Sequence, residues 1–417
     1  MDRMRAASVR FDELARVLKR YGEGRHDGLI IMPSYKAYDY LFRHLELLQK
    51  QTFRDFDLLI MLSSESDEKK VSGFLDSMRP GFVVVLAKRN EDTGSAGGFF
   101  AGEKYALENG YKYVFLTDDD LLPLDADTIG RLVEERKKGA MLAYSSPHFV
   151  VDGERAFTGS GIHFYSLLDI SLLKEAGLHF APMYIGADDT ELASRVLKLA
   201  GPVSTGCSVS HPGRHSIFAD FERSILYRIN DMLLIMPGHF VDYIYGSSVL
   251  LPAYLVFGSE RARKAGFHLM KALIAHKFGK GAIPPKGGGD AAPGSEVYEL
   301  VVTPLQSVKT GNVFRYGYGK GPAHMLDLAG KALGKKVLLY PINNYAVILS
   351  MLLAKETWVS ASRGEFLLAK SGNPLLHALR LAVFCFVFPA FLSFGLLSFA
   401  INWARKPDTW GYGIRSR

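Results

Sequence analysis

The chain reads as an α/β protein with a largely parallel sheet covered on both faces, followed by a helical membrane domain. Three observations predict this. Short apolar runs alternate with segments of helical apolar spacing from Leu29 onward. Polar, glycine-rich or acidic loops recur where those runs end. Charge is spread evenly over the first 230 residues, and long uncharged stretches gather near the end.

Composition narrows the class. At 417 residues the chain exceeds one ordinary core. Hydrophobic residues at 48% and charged residues at 22% exclude a disordered, collagenous or coiled-coil protein. Fifty Lys and Arg against 43 Asp and Glu give 50 − 43 = +7, too small an excess over this length to indicate nucleic acid. Two cysteines, Cys207 and Cys385, exclude a disulfide framework and a cysteine-based zinc site. The segment 1–27 has no apolar run of signal-peptide length and is expected to be a helical extension.

Each element follows in order. Leu29–Ser34 (LIIMPS) is a buried strand, and Tyr35–Lys50 follows with Tyr38, Leu41, Phe42, Leu45 and Leu48 at helical spacing. Phe56–Leu62 is a second strand, and Ser63–Asp67 a polar loop able to cap the next helix. Phe82–Ala87 is a third strand, Gly97–Asn109 a helix, and Tyr113–Thr117 a fourth strand ending in three aspartates. In a parallel α/β sheet ligands bind outside the carboxyl ends of the strands. The loops after Met32, Leu62, Ala87 and Leu116 should therefore share one edge.

The second half has another character. Leu381–Ile401 is an uncharged run of 21 residues flanked by Arg380 and Arg405. At about 1.5 Å per residue it matches the hydrocarbon thickness of a bilayer. Residues 337–354 are expected to form a second span, with Asn343 and Asn344 facing protein or substrate rather than lipid. Residues 232–259 form either an interfacial pair of short helices or a further span. Glu260–Phe278 has helical spacing on a basic background and suits a helix lying on an anionic membrane face, or a soluble helix with a solvated face. Residues 283–294 read as a turn-rich linker. The expected domains are 28–230, the α/β unit; 231–336, interfacial helices; and 337–417, membrane helices.

Asp118-Asp119-Asp120 closes an apolar strand. Three adjacent carboxylates repel one another, and a hard divalent cation relieves that cost, although a helix N-terminus also attracts aspartate. Asp188-Asp189-Thr190-Glu191 is either a capped helix start or the seat of a general base. His211 and His215 flank a Pro-Gly turn, suited to a metal ligand and a phosphate contact. The loop from Asn90 to Gly98 (NEDTGSAGG) permits close backbone approach to a ligand or serves as a flexible turn, and it lacks the lysine of a phosphate loop.

The order of these pieces resembles the inverting family 2 glycosyltransferases with the GT-A fold, a Rossmann-like nucleotide-sugar domain. In the galactofuranosyl- and rhamnosyltransferase branch, an asparagine and glycine-rich stretch precedes an acidic triplet. The resemblance covers about residues 28–232. It implies that Pro33, Ser34, Tyr35, Glu65 and Asp67 hold the nucleotide base and ribose. It places Asn90, Gly97, Gly98, Asp118 and Asp119 on the donor, with Asp120 and His211 as ligands to Mn²⁺ or Mg²⁺. Asp189 takes the position of the catalytic base, and Arg228 the position nearest to the family's arginine-bearing segment. The Gln-x-x-Arg-Trp motif of cellulose synthase-like members is absent, which argues against processive polymer synthesis. The layout is also similar to that of archaeal mannosyltransferases acting on lipid-linked glycans. It implies an integral cell-membrane enzyme with a cytoplasmic catalytic domain, a nucleotide-sugar donor and a polyprenyl- or dolichyl-phosphate-linked acceptor. GDP-mannose is the first donor, with UDP-galactofuranose or dTDP-rhamnose as alternatives. A membrane-anchored, non-catalytic sugar-nucleotide-binding scaffold is the competing class.

Overall fold

The computed structural model describes residues 8–145, 148–151, 154–157, 164–186, 188–210, 247–248, 251–275, 298–301, 313–315, 336–340, 356–361, 364–370 and 374–404. The chain divides into two compact units, residues 1–212 with 407–417, and residues 213–406.

The first unit is built on an eight-stranded sheet. Its parallel centre consists of β2 (Gly28–Ser34), β3 (Phe56–Leu62), β4 (Val83–Arg89) and β5 (Tyr113–Thr117). Between them run α2 (Tyr38–Leu48), α3 (Glu68–Met78) and α4 (Gly94–Glu108). The strands β2, β3 and β5 are buried at every position, which is why they read as unbroken apolar runs rather than alternating ones. The sheet order is β1-β4-β3-β2-β5-β10-β7-β11, where β1 is Ala15–Tyr21, β7 Leu142–Tyr144, β10 Phe164–Asp169 and β11 Val203–Ser204. A smaller sheet joins β6 (Leu122–Pro123), β8 (His148–Val151), β9 (Glu154–Phe157) and β12 (Val209–Ser210) in the order β6-β12-β8-β9.

Helix α4 is buried on every face from Ala96 to Ala106, even at Glu103 and Lys104. It closes on β2 through glycine: a side chain at Gly98 would put its Cβ 2.8 Å from Pro33 Cβ, and one at Gly102 would run into Ile31. Asp67 caps α3, accepting hydrogen bonds from the Lys69 and Lys70 amides at 3.0 and 3.2 Å, as the loop composition predicts. Helices α5 (Thr128–Lys137), α6 (Ile170–Ala176) and α7 (Asp188–Val196) complete the unit.

The expected helical extension over 1–27 is corrected by the structure. Among the described residues of this segment, Ser8 and the short helix α1 (Phe11–Leu14) are helical, and Ala15–Tyr21 pairs antiparallel with β4 as an edge strand. Its outward Arg16, Lys19 and Arg20 look like the polar face of a helix, but charge on an edge strand guards its unpaired backbone.

The second unit contains α8 (Leu251–Phe257), α9 (Glu260–Ala275), a five-stranded sheet and the long helix α10 (Pro374–Ala404). The sheet runs β14-β13-β15-β16-β17, with β13 Tyr298–Val301, β14 Val313–Arg315, β15 Lys336–Tyr340, β16 Glu356–Ala361 and β17 Gly364–Lys370. The span expected over 337–354 is therefore wrong at its start: Val337–Tyr340 lies in β15, paired in parallel with both β13 and β16. A short apolar run before a proline fits a buried strand as well as a helix, and pattern alone does not separate them. Residues 341–354 lie outside the described residues, as does the linker 283–294. Within 232–259 the described helix α8 has seven residues, far below bilayer thickness. The basic helix expected after it is α9.

Helix α10 contains Ala378–Leu397, long and apolar enough to cross a membrane, with almost none of that stretch buried. Phe386 is 85% exposed, an arrangement unsuited to water. Inside the unit, α8 packs against α10 through Phe257 and Phe384, whose rings are 5.7 Å apart.

Candidate active site

The carboxyl ends of β2, β3, β4 and β5 share one edge, as the parallel register requires. Four groups meet there. Beyond β2 comes Tyr35, 43% exposed, followed by Lys36 in the left-handed region at φ 58°. Both reach Glu65 in the loop after β3, Tyr35 Oη donating to it at 3.1 Å and Lys36 Nζ at 2.8 Å. These two bonds, Lys36 first, hold the Glu65 carboxyl below its usual range. Asp67 in the same loop is exposed and uses its Oδ1 to cap α3.

The loop after β4 is built around buried Arg89. Its guanidinium donates to Thr93 Oγ1 at 3.1 Å and to the Gly94 carbonyl. Asn90 is not turned to a ligand: its side chain donates to the Glu13 carbonyl at 3.0 Å and its amide to Leu14, tethering the N-terminal segment. Gly97 and Gly98 lie inside α4, buried against Thr93 and Pro33. The close approach that these glycines permit here is to the chain itself. Gly94, at φ +68°, lies against the Tyr184 backbone, and the Ala96 amide donates to the Tyr184 carbonyl at 3.2 Å.

Tyr184 belongs to the segment that delivers the second acidic cluster. Its backbone has φ 66° and ψ −64°, a strained turn, and its hydroxyl donates to Asp92 at 2.8 Å. Four residues on, Asp188 accepts from Ser95 Oγ at 3.1 Å and from the Gly186 amide at 3.0 Å. Asp188 is thus a buried bolt between α4 and α7. Burial raises its carboxyl, and His179 and those hydrogen bonds only partly offset the effect. Asp189, its neighbour in the first turn of α7, is partly exposed. Two buried polar pairs brace this segment: a hydrogen bond between His179 Nδ1 and Glu103 at 2.6 Å, and the ion pair of Arg195 with Glu191 at 2.7 Å. Arg195 also donates to the Ala176, Gly177 and Leu178 carbonyls, closing the C-terminal end of α6.

Asp118, Asp119 and Asp120 follow β5, each partly open to the cleft but crowded by protein. Burial, then the charges of Asp120, Asp188, Asp119 and Asp189, raises the Asp118 carboxyl well above its ordinary value. The two acidic clusters, about 70 positions apart in the sequence, therefore share one electrostatic field. Burial and the Asp120 charge push the Asp119 carboxyl up to about 7, and the Ser34 hydroxyl and Tyr35 amide counter this. Ser34 Oγ and Asp119 Oδ2 are nonetheless buried without a well-formed hydrogen bond. Behind them lies His44, fully buried and held neutral by desolvation, its value lowered to about 3.

This constellation fits a divalent cation in charge and donor type: hard oxygens, mutual repulsion and one orphaned carboxylate oxygen. Among the described residues no three such side chains converge on one point. Mg²⁺-type sites commonly use one or two carboxylates and take their remaining oxygens from phosphate and water. His211 and Arg228 lie outside the described residues.

Residues 29–222 match the family model described as glycosyl transferase family 2. Both acidic clusters fall inside that span. This region is a family 2 glycosyltransferase domain. Its mixed α/β architecture with a large, mostly parallel sheet is consistent with a GT-A fold. No curated protein matches the chain. Among solved structures, the mannosyltransferase PcManGT from Pyrobaculum calidifontis, in complex with GDP-Man and Mn²⁺, is 16% identical at a TM-score of 0.38. That alignment covers 67% of this chain and 83% of that one. TarS of S. aureus is 11% identical at 0.37, covering 60% of this chain and 53% of that one. GalNAc-T7 with UDP, GalNAc and Mn²⁺ is 12% identical at 0.40, covering 54% and 51%. The chain thus spans about half the length of the last two.

Several residues of the glycosyltransferase domain's cleft are not evident from sequence. Arg89 and Tyr184 act through their positions in the fold, and no local pattern marks them. Asp92 sits in the glycine-rich loop and could have been found as its only aspartate.

Proposed function

We propose that the glycosyltransferase domain transfers a sugar, with inversion, from a nucleotide-sugar donor to a lipid-linked acceptor at a membrane surface. The observation that carries this is the meeting of Asp118–Asp120 with Asp189 in one field at the carboxyl edge of the sheet. Asp189 takes the role of general base. It stands partly exposed in the first turn of α7, where the helix N-terminus favours a carboxylate. It accepts the acceptor hydroxyl proton while that oxygen attacks the anomeric carbon, and the bond to the nucleoside diphosphate breaks on the opposite face.

Tyr35, exposed beside Lys36 and Glu65, supports a platform for the base and ribose. Asp120, with His211, would hold Mn²⁺ or Mg²⁺, and Asp118 and Asp119 would orient the donor. When bound, the ion supplies charge neutralisation for the departing diphosphate. Arg228 would add a cation to the same leaving group. Pro33 and Ser34 shape the floor below the donor.

The membrane assignment is supported by α10, whose apolar stretch is almost wholly uncovered, and by the basic helix α9. We place the catalytic domain on the cytoplasmic side. GDP-mannose is the donor we assign, with UDP-galactofuranose or dTDP-rhamnose as the alternatives carried by the sequence branch.

The test is release of nucleoside diphosphate from a panel of GDP-, UDP- and dTDP-sugars by the detergent-solubilised chain, with Mn²⁺, with EDTA and with Asp120→Ala. Metal-dependent release from one donor, lost in the variant, is expected. Nucleotide-sugar binding without release, even with polyprenyl phosphate present, would favour the non-catalytic scaffold.

A further inference from the structure

Directly behind the acidic strand end lies a fully buried polar chain. Tyr165 sits in β10, the antiparallel neighbour of β5. The register there shifts between Phe164, opposite Thr117, and Ser166, opposite Leu116, so Tyr165 is the unpaired residue of a β-bulge. Its φ of 51° lies in the left-handed region, which a tyrosine adopts only at a cost. The bulge turns its side chain inward, where it is fully buried. There its hydroxyl meets Nε2 of His44 and lies against the Thr117 hydroxyl. Nδ1 of His44 in turn reaches the backbone carbonyl of Asp119 at 3.3 Å.

These contacts fix the direction of the chain. A carbonyl oxygen only accepts, so Nδ1 must carry the proton and donate to Asp119. Nε2 is then the acceptor, and the Tyr165 hydroxyl donates to it. Without Tyr165, the imidazole is free to adopt the other tautomer, which turns a lone pair against the carbonyl. Strain, a ladder interruption and a buried histidine are thus all directed at one peptide, the middle one of the Asp118–Asp120 triplet.

We propose that His44 and Tyr165 are positioning residues that hold the Asp119 peptide, and through it set the separation of the three carboxylates. The proposal rests on the reading of that triplet as the donor and metal site. Neither side chain touches substrate. Their effect is to keep mutually repelling carboxylates on a fixed strand end before any cation arrives. Outer partners of this kind commonly change metal affinity or activity by about 10- to 100-fold.

The test uses the full chain in detergent and three variants, Tyr165→Phe, His44→Ala and His44→Asn. Hydrogen–deuterium exchange is read on peptides spanning residues 117–122 and on β2 and β3. Mn²⁺ alone is titrated by electron paramagnetic resonance, and melting temperature is followed in parallel. Tyr165→Phe should speed exchange at 118–121 at least tenfold and weaken Mn²⁺ binding about tenfold, with β2, β3 and the melting temperature little changed. His44→Asn, whose amide nitrogen replaces Nδ1 as a donor, should recover most of what His44→Ala loses. Unchanged exchange at 118–121 in both Tyr165→Phe and His44→Ala would overturn the proposal, as would equal losses in His44→Ala and His44→Asn. The exchange measurement decides it even for a chain that binds no Mn²⁺, so failure of the metal reading and failure of the positioning reading are told apart.

Discussion

Replacing Gly94 by alanine puts a methyl group onto the Tyr184 carbonyl. Two costs follow, and they are separable. The first is backbone strain: φ is +68°, and an L-residue in that region costs about 1–2 kcal/mol. The second is displacement. Ordinary contact between carbon and a carbonyl oxygen is about 3.3 Å or more, so the Tyr184 segment must retreat by more than about 1 Å. That segment carries Asp188 and Asp189 and is bolted to α4 through Ser95 and Ala96. A misplacement of about 1 Å in a reacting group costs about 100-fold in rate, or about 2.7 kcal/mol of barrier. Gly24→Ala is the control: φ there is +81° with open space around the position, so it carries strain without displacement. Donor turnover with acceptor and melting temperature should be measured for both. Gly94→Ala should lose about 100-fold in turnover, and Gly24→Ala less than about threefold, with the larger loss of stability in Gly94→Ala, where displacement adds to strain. Equal turnover in the two variants would refute the coupling between the glycine loop and the Asp188–Asp189 segment.

Other outcomes are open to direct measurement. Asp189→Asn should lower transfer by about 10²- to 10⁴-fold while leaving nucleotide binding by calorimetry within about threefold; loss of both together would assign it to structure. Glu103→Leu leaves the His179 amide and Nδ1 buried without their acceptor. It should cost about 3 kcal/mol in urea denaturation, and a change below about 0.5 kcal/mol would show that the pair braces nothing. Asp169 caps α6 by accepting from the Ser171 amide at 3.0 Å and pairs with Arg136 at 2.8 Å. Burial alone would raise its carboxyl, but the Ser171 and Arg136 bonds outweigh it and lower the value below 3.8. The folded form therefore binds the proton more weakly than the unfolded one. The stabilisation is complete above pH 3.8 and lost as the pH falls through the folded value. Asp169→Ala should cost about 1 kcal/mol at pH 7, narrowing in acid; a gap independent of pH would contradict this.

The parallel core was legible because burial on both faces leaves β2, β3 and β5 as runs without polar interruption, and because Asp67 and Asp188 open their helices where a cap is needed. The same logic failed at Ala15–Tyr21 and at Lys336–Tyr340. An edge strand borrows the charges of a helix surface, and a buried parallel strand borrows the composition of a membrane helix. The acidic clusters were visible as residues, but their division of labour was not. Nothing in Asp188-Asp189 says that the first is buried against Ser95 and Gly186 and the second partly exposed. That distinction arises from α4, nearly 100 positions earlier. The glycines of α4 carry a second constraint that the sequence does not announce, since Gly98 and Gly102 lie against Pro33 and Ile31.

The N-terminal edge strand has a practical consequence for anyone shortening this protein. Family boundaries begin at residue 29, which invites a truncation just before β2. Such a truncation would strip β1 from β4 and uncover a strand whose sequence, VVVLAKR, is apolar for its first five residues. Bare strands of that composition recruit one another. Arg16, Lys19 and Arg20 act here as a hem that keeps the sheet from continuing into a neighbouring molecule. A trimmed domain should precipitate or pair through β4 even with every cleft residue intact.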